Sequence, residues 1–170
     1  LLPAFIDTFS PAASVPYLAD VARLEQLRIE AWHAADAQPL PRGQLEAALS
    51  RPDLLPEVRL RLHPSLALLR SRYAVFDLWA AHQGELPVET VVVARAQNVL
   101  VLRPRDAVEV VRVDDATAAF VHALARALAL GAATQAAFAA DGDADLGVVL
   151  TALIRSEAFA ATQLSMESDA

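Results

Sequence analysis

The sequence predicts an α+β fold, in which a largely helical N-terminal region precedes a domain of three short strands and three helices. Three observations lead to this prediction. Apolar residues recur every three or four positions over residues 16–36, as in an amphipathic helix. Valine-rich runs then follow over residues 90–113, and helical periodicity returns over residues 114–155.

The N-terminal region, residues 1–86, is predicted to begin with two helices. Residues 1–9 have the character of a helix end that stops before Pro11. A longer helix begins at Pro16, because the missing N–H of proline is not needed in a first helical turn. We expect it to end near Asp36. Its predicted apolar face consists of Leu18, Val21, Leu24, Leu27, Ala31 and Trp32.

The remaining elements of this region are shorter. Strict alternation of apolar and polar residues over residues 58–63 predicts a half-buried strand. After a break at Pro64, residues 66–73 are predicted to continue as strand. Short helices are predicted over residues 44–49 and 75–82.

Turn residues at positions 84–87 predict a domain boundary, so that a second domain occupies residues 87–161. Its first part is expected to form a three-stranded antiparallel sheet, because gaps of hairpin length separate the valine-rich runs. The three predicted strands cover residues 90–95, 99–103 and 108–113.

Three predicted helices complete this domain. Asp114 or Asp115 caps the first, a second covers residues 132–139, and Asp145 caps the third. The first helix carries Phe120, Val121, Leu124 and Leu128 on one face. The polar tail, residues 162–170, is predicted to fray.

Composition excludes several classes of function. The formal net charge is −7, and all 14 basic residues are arginine, so Schiff-base chemistry and the P-loop lysine are excluded. The absence of cysteine excludes thiol catalysis and cysteine-ligated zinc. No segment is apolar enough to predict a membrane span. The acidic balance also disfavours non-specific binding to nucleic acid by this part of the protein.

Three motifs that suggest a reaction centre have simpler explanations. A single Glu30-x-x-His33 pair falls short of a di-iron site, which needs two copies and two further glutamates. The aspartates at residues 141–145 resemble the start of a calcium loop, but Leu146 and Ala152 replace the required glycine and glutamate. His63-Pro64-Ser65 has no nucleophile elbow around it. We therefore expect no catalytic residue, no metal ligand and no cofactor.

An arginine-rich stretch is the local charge anomaly of the sequence. No acidic residue lies between Glu57 and Asp77. The stretch carries Arg59, Arg61, Arg70 and Arg72. Two explanations stay open: the arginines protect an outer strand face from edge-to-edge association, or they form a docking surface for an acidic partner. If the surface docks a protein, Tyr73 and Trp79 belong to it.

Several segments, taken together, resemble the HvfC/BufC family. The similarity extends in order through nearly the whole chain. It departs from the family pattern at Gln26, where an aromatic residue is expected, and at Ala74, where proline is usual. The segments that carry the resemblance are residues 15–25, 31–37, 60–65, 68–75 and 78–79.

This resemblance implies a non-catalytic adaptor. Members of the family are partners of multinuclear non-haem iron oxidative enzymes, which modify cysteines of ribosomally made precursor peptides linked to copper handling. The adaptor presents the precursor peptide, and the iron belongs to the enzyme. The resemblance also implies a cytoplasmic protein and a helical N-terminal domain upstream of this chain. In this family the N-terminal part carries a DNA-binding label.

The C-terminal part is similar to the winged-helix peptide-recognition element of PqqD-like proteins, which implies capture of a peptide as an added strand. On this mapping the edge strand contains Val108, Glu109, Val110, Val111, Arg112 and Val113. The wall of the groove is the third helix, with Leu146, Val149, Leu150 and Leu153.

Two other functions compete with the adaptor. The DNA-binding label and the winged helix suggest a transcriptional regulator, but base readout needs arginine, lysine, asparagine or glutamine on a recognition helix. The third helix offers Arg155 and the second offers Gln135, so we do not expect this part of the protein to bind nucleic acid. The alanine-rich helices also suit a scaffold or oligomerisation module.

Overall fold

A computed structural model describes residues 2–9, 12, 14–41, 43–44, 47, 50–51 and 53–160 of the chain. It confirms the α+β class, since it combines helices with a three-stranded antiparallel sheet. The chain forms two compact units, each assembled from two separate segments. Unit 1 comprises Leu1–Ala34 and Ser65–Asp114, and unit 2 comprises Ala35–Pro64 and Asp115–Ala170.

The described part of unit 1 contains the sheet and three α-helices. The long helix predicted near Pro16 is confirmed; it begins two residues later and ends at His33, where Ala34 turns to extended backbone. The elements are α1 (Leu2–Thr8), α2 (Leu18–His33), β1 (Ala67–Ser71), α3 (Val75–His82), β2 (Gln97–Leu102) and β3 (Glu109–Val113). The short helix predicted over residues 75–82 is therefore also confirmed.

The sheet has the order β1-β2-β3, so β2 is central and β1 and β3 are its two edges. Leu69 of β1, Val99 of β2 and Arg112 of β3 lie opposite one another and therefore on one face. This face belongs to the core of unit 1. The buried core residues are Leu24, Ala31, Leu69, Val75, Val99 and Val101. Both edges thus depend on one set of contacts with α2 and α3.

The composition of the sheet corrects one prediction. Residues 90–95 form no strand; a short 3-10 helix spans Val88–Thr90 and is followed by turns. The third strand is β1, within the segment predicted at residues 66–73. Strand formation depends on a partner, and the Val93 carbonyl accepts a hydrogen bond from Ala74 N at 2.9 Å instead of joining a ladder.

Unit 2 contains the three C-terminal helices, as predicted. They are α4 (Asp115–Ala125), α5 (Leu130–Ala140) and α6 (Leu146–Arg155). A 3-10 helix at Leu55–Glu57 approaches the start of α5 closely. A Cβ atom on Gly131 would lie 3.0 Å from the carbonyl oxygen of Pro56, so this approach requires glycine.

The strand predicted over residues 58–63 is wrong, although its alternation is real. Val58 and Leu60 are buried, whereas Arg59 and Arg61 are exposed. The segment lacks a ladder, and its pairing is limited to an isolated bridge between Leu62 and Phe159. Alternating burial therefore reflects packing within unit 2, where Val58 O also accepts a hydrogen bond from Leu130 N at 2.8 Å.

The two units do not coincide with the boundary predicted at residues 86 and 87. β1 precedes that boundary and pairs with β2, which follows it. The predicted helix at residues 44–49 falls largely outside the described residues, as does the predicted tail at residues 162–170. Within the described part of the chain, no helix is long and apolar enough to cross a bilayer.

Candidate functional site

The edge strand β3 lies where the sequence predicted a strand at residues 108–113, except that Val108 precedes it. Glu109 and Arg112 are exposed, while the three valines of the strand are half-buried. Among the described residues, no further strand pairs with the outer side of β3. An edge strand of this kind presents backbone N–H and C=O groups that another extended chain can pair with.

Arg112 is the best-anchored side chain of this edge. Its Nη1 lies 3.1 Å from Asp77 Oδ1 of α3, and its guanidinium carbon lies 5.9 Å from the centre of the Phe76 ring. The anchored side chain lies on the core face of the sheet, beside Val110.

A groove lies between α2 and the connection that joins β2 to β3. Its volume is about 490 Å³. Two large apolar side chains of α2 line it although they are exposed, Ile29 at 61% and Trp32 at 57%. On the opposite side it is lined by Asp106, Ala107 and Val108. One of these lining residues, Val108, directly precedes β3.

The polar rim of the groove is partly neutralised within the chain. Arg28 Nη1 donates to Glu25 Oε2 at 2.7 Å, one turn earlier on α2. The Arg28 guanidinium also lies 5.3 Å from the centre of the Trp79 ring, in a cation–π contact. Arg28 therefore has two partners in unit 1, of which Glu25 carries the opposite charge.

Arg103 connects the β2–β3 turn to the end of α2. Its Nε donates to Ala31 O at 3.0 Å and its Nη2 donates to Ala34 O at 2.8 Å. A third bond joins Nη1 to Arg105 O at 3.0 Å, within the turn. The last carbonyls of a helix lack intrahelical donors and carry partial negative charge, so a guanidinium is well suited to them. Arg103 thereby holds the two walls of the groove together.

The helix predicted as the other wall lies in unit 2, whereas β3 lies in unit 1. Val149 and Leu153 of α6 are 2% and 1% exposed, which makes them core residues. Leu146 and Leu150 are half-buried. Asp145 caps this helix as predicted, since its Oδ1 accepts from Gly147 N at 2.8 Å and from Val148 N.

The predicted arginine surface is divided between the units. Arg59 and Arg61 belong to unit 2, where Arg59 Nη1 donates to the Ala127 carbonyl. Arg70 and Arg72 belong to unit 1 and are both exposed; Arg70 lies in β1, and Arg72 follows the end of that strand. The described structure thus gives two arginine pairs, each in its own unit.

The aromatic residues assigned to that surface differ in environment. The Arg72 guanidinium carbon lies 5.0 Å from the centre of the half-buried Tyr73 ring. Trp79, in contrast, packs against the core of unit 1 beneath Arg28. Tyr73 is therefore better placed than Trp79 to contact another protein.

Side chains of the Glu30-x-x-His33 and His63-Pro64-Ser65 motifs make contacts within the chain. Glu30 accepts a hydrogen bond from Gln26 at 2.7 Å, and His33 is exposed at the groove. The buried His63 contacts the Ala37 carbonyl through Nε2 at 3.2 Å, while the Ser65 hydroxyl accepts from Arg103 N at 2.7 Å. Among the described residues, no group of three or more histidine, aspartate or glutamate side chains could hold a metal ion.

Sequence reasoning missed the groove and misplaced Trp32. Helical spacing put Trp32 on the apolar face of α2 with Leu24, yet Leu24 is buried and Trp32 is exposed. One signal was available: Ile29 lies off the predicted apolar face, between polar neighbours. An apolar residue outside the core stripe indicates a second contact surface on the same helix.

Comparison with known proteins adds no relative. No protein-family model, no curated protein and no solved structure matches the chain.

Proposed function

We propose that this protein is a non-catalytic accessory protein that binds a ribosomally made precursor peptide along β3 and presents it to a multinuclear non-haem iron enzyme. One observation supports the peptide-binding step above the others: β3 is an edge strand, and among the described residues no strand covers its outer side. The iron enzyme and the precursor peptide come from the resemblance to the HvfC/BufC family.

Strand addition explains how such an edge can bind peptides of varied sequence. The backbone of the peptide supplies most of the hydrogen bonds, so affinity does not require a fixed set of side chains. Alternate side chains of the added strand then point to opposite faces of the sheet and supply the selectivity. Exposed Glu109 and the groove beside Val108 are the neighbours that such side chains would meet.

The docking surface for the iron enzyme in this proposal is the end of β1. Arg70 and Arg72 are exposed there, and the contact of Arg72 with Tyr73 combines a cation with an aromatic ring. Arginine and tyrosine are enriched at protein–protein interfaces. An acidic surface on the enzyme would complement this pair of arginines.

The experiment that tests this function is co-purification of the full-length protein with a candidate multinuclear iron enzyme and a short cysteine-containing precursor peptide. We expect a ternary complex that persists at moderate salt and no shift of duplex DNA. Salt-sensitive binding to duplex DNA, without binding to the peptide, would overturn the proposal and favour a transcriptional regulator.

The mode of binding is tested with chemically modified peptides. N-methylation at alternate residues of the precursor removes the N–H groups that pair with β3 while it keeps every side chain. We expect affinity to fall about tenfold or more for one alternation and to change little for the other, because a strand directs alternate N–H groups to opposite sides. Equal effects of both alternations would exclude strand addition.

A further inference from the structure

The groove beside Val108 has a composition that differs from the rest of the exposed surface of α2. Ile29 and Trp32 are the large apolar residues exposed on the second half of this helix. Both face the same groove, with half-buried Val108 opposite. Exposing two large apolar side chains side by side costs favourable burial, and such patches commonly mark contact surfaces.

The groove adjoins the start of the edge strand along the chain. Val108 lines the groove, and Glu109 is the first residue of β3. A peptide paired with β3 and extended past the start of that strand therefore reaches the groove. Arg103 holds the turn against α2 through the carbonyls of Ala31 and Ala34, so both walls are in place before a ligand arrives.

The residues that line the groove include one more carboxylate than arginine. Arg28 is paired with Glu25, and Asp106 is exposed at the rim. Arg103 and Arg105, in the same turn, both have partners within the chain. A basic side chain would complement Asp106.

We propose that this groove binds a large apolar side chain of the captured peptide, and that a neighbouring arginine or lysine of the same peptide faces Asp106. The proposal rests on the proposed function, since it names the class of peptide that the β3 edge selects. Apolar contact with Ile29, Trp32 and Val108 supplies the affinity, and Asp106 supplies the charge preference. The pair of residues thus acts as an anchor at one end of the added strand.

The test is selection from a displayed library of random peptides with the full chain as bait. We expect enrichment of peptides in which a large apolar residue neighbours arginine or lysine. Trp32→Ala should reduce the affinity of the selected peptides about tenfold. Asp106→Arg should reverse the charge preference, so that selection with this variant enriches acidic neighbours instead.

Matched controls separate the groove from general effects of substitution. Val92→Ala removes a side chain that is 66% exposed and lies outside the groove, so binding should be unchanged. Glu89→Arg makes the same charge change as Asp106→Arg at another exposed site. Circular dichroism of each variant checks that the fold is retained, and Trp32→Phe provides a conservative variant that keeps an aromatic ring.

The possible outcomes test the groove separately from peptide binding at β3. Peptides that lose binding on backbone N-methylation, but show no apolar–basic preference and tolerate Trp32→Ala, would overturn the groove assignment and leave strand addition intact. A selection that enriches no peptide over bait-free controls would overturn both. A preference that Glu89→Arg reverses as strongly as Asp106→Arg would show that overall charge, and not the groove, selects the peptide.

Discussion

The two edge strands of the sheet, β1 and β3, pack on one core. They differ in what surrounds the end of β1 and the start of β3. At β1 the Ser71 hydroxyl donates to Asp20 of α2 at 2.6 Å and accepts from Tyr73 N at 3.0 Å. Arg70 and Arg72 are exposed beside it. At β3 the strand begins next to an apolar groove. Charged side chains are exposed at both edges, since β3 carries Glu109 and Arg112. The two edges therefore differ in the bound end of β1 and in the groove beside β3. The comparison explains why we assign the peptide to β3.

The largest expected loss of stability comes from a substitution in the core that packs beneath the sheet. Leu24 is fully buried against β1 and β2, so Leu24→Ala should lower the free energy of unfolding by about 2–5 kcal/mol. The matched control is Ile29→Ala on the same helix, which should change it by less than about 0.5 kcal/mol because Ile29 is exposed. Urea titration followed by circular dichroism measures both. Equal losses would contradict the packing of α2 on the sheet through the helix face that carries Leu24.

A smaller loss of stability is expected when the hydrogen bond between the end of β1 and α2 is removed. Ser71→Ala removes the hydrogen bond to the partly buried carboxylate of Asp20, at a cost of about 1–2 kcal/mol. A double-mutant cycle with Asp20→Ala isolates the interaction, and we expect a coupling free energy of about 1 kcal/mol from urea titrations. Additive losses in the double variant would show that the two side chains do not act together.

The next substitution removes the hydrogen bonds that hold the β2–β3 turn against α2. Arg103→Met keeps the length of the side chain but removes its donors to Ala31 O and Ala34 O, so we expect a loss of about 1–2 kcal/mol. Amide hydrogen exchange at residues 105–108 should accelerate more than exchange within β1. Arg95→Met, at an exposed position, is the control. Unchanged exchange at residues 105–108 would contradict the role given to Arg103.

The smallest expected effect compares one arginine on each edge. Arg112 of β3 is paired with Asp77, so Arg112→Ala should cost about 0.2–1 kcal/mol, and added salt should reduce that cost. Arg70 of β1 has no ion pair among the described residues, so Arg70→Ala should cost less and show no dependence on salt. Thermal unfolding at low and high salt measures both. A salt-dependent loss at Arg70 alone would reverse the comparison.

Sequence reasoning reached most of the elements near this site. β2 and β3 lie within a residue or two of their predicted positions, and α2, α3 and the capped helix α6 are where periodicity and Asp145 placed them. Each of these depends on local pattern: alternation, helical spacing or a capping side chain. Local pattern also made the alternation at residues 58–63 suggest a strand that has no ladder.

Of the candidate site, the edge strand was predicted from the sequence and the groove was not. The edge at residues 109–113 is present, because its valine-rich run and its short turn are local signals. The groove was not predicted, because it joins Trp32 and Val108, which are distant in the chain. Its two walls are connected by Arg103, whose partners are backbone carbonyls and leave no trace in the pattern of side chains.

By itself, the sequence determined the class of fold, most of the helices and segments that contain all three strands, because these follow from periodicity within short segments. The tertiary structure decided which third segment completes the sheet, since residues 67–71 and the valines at 91–93 are both suited to a strand and pairing alone selects between them. It also decided that Trp32 is exposed. Burial depends on what packs against a helix face, and that is a property of the assembled unit.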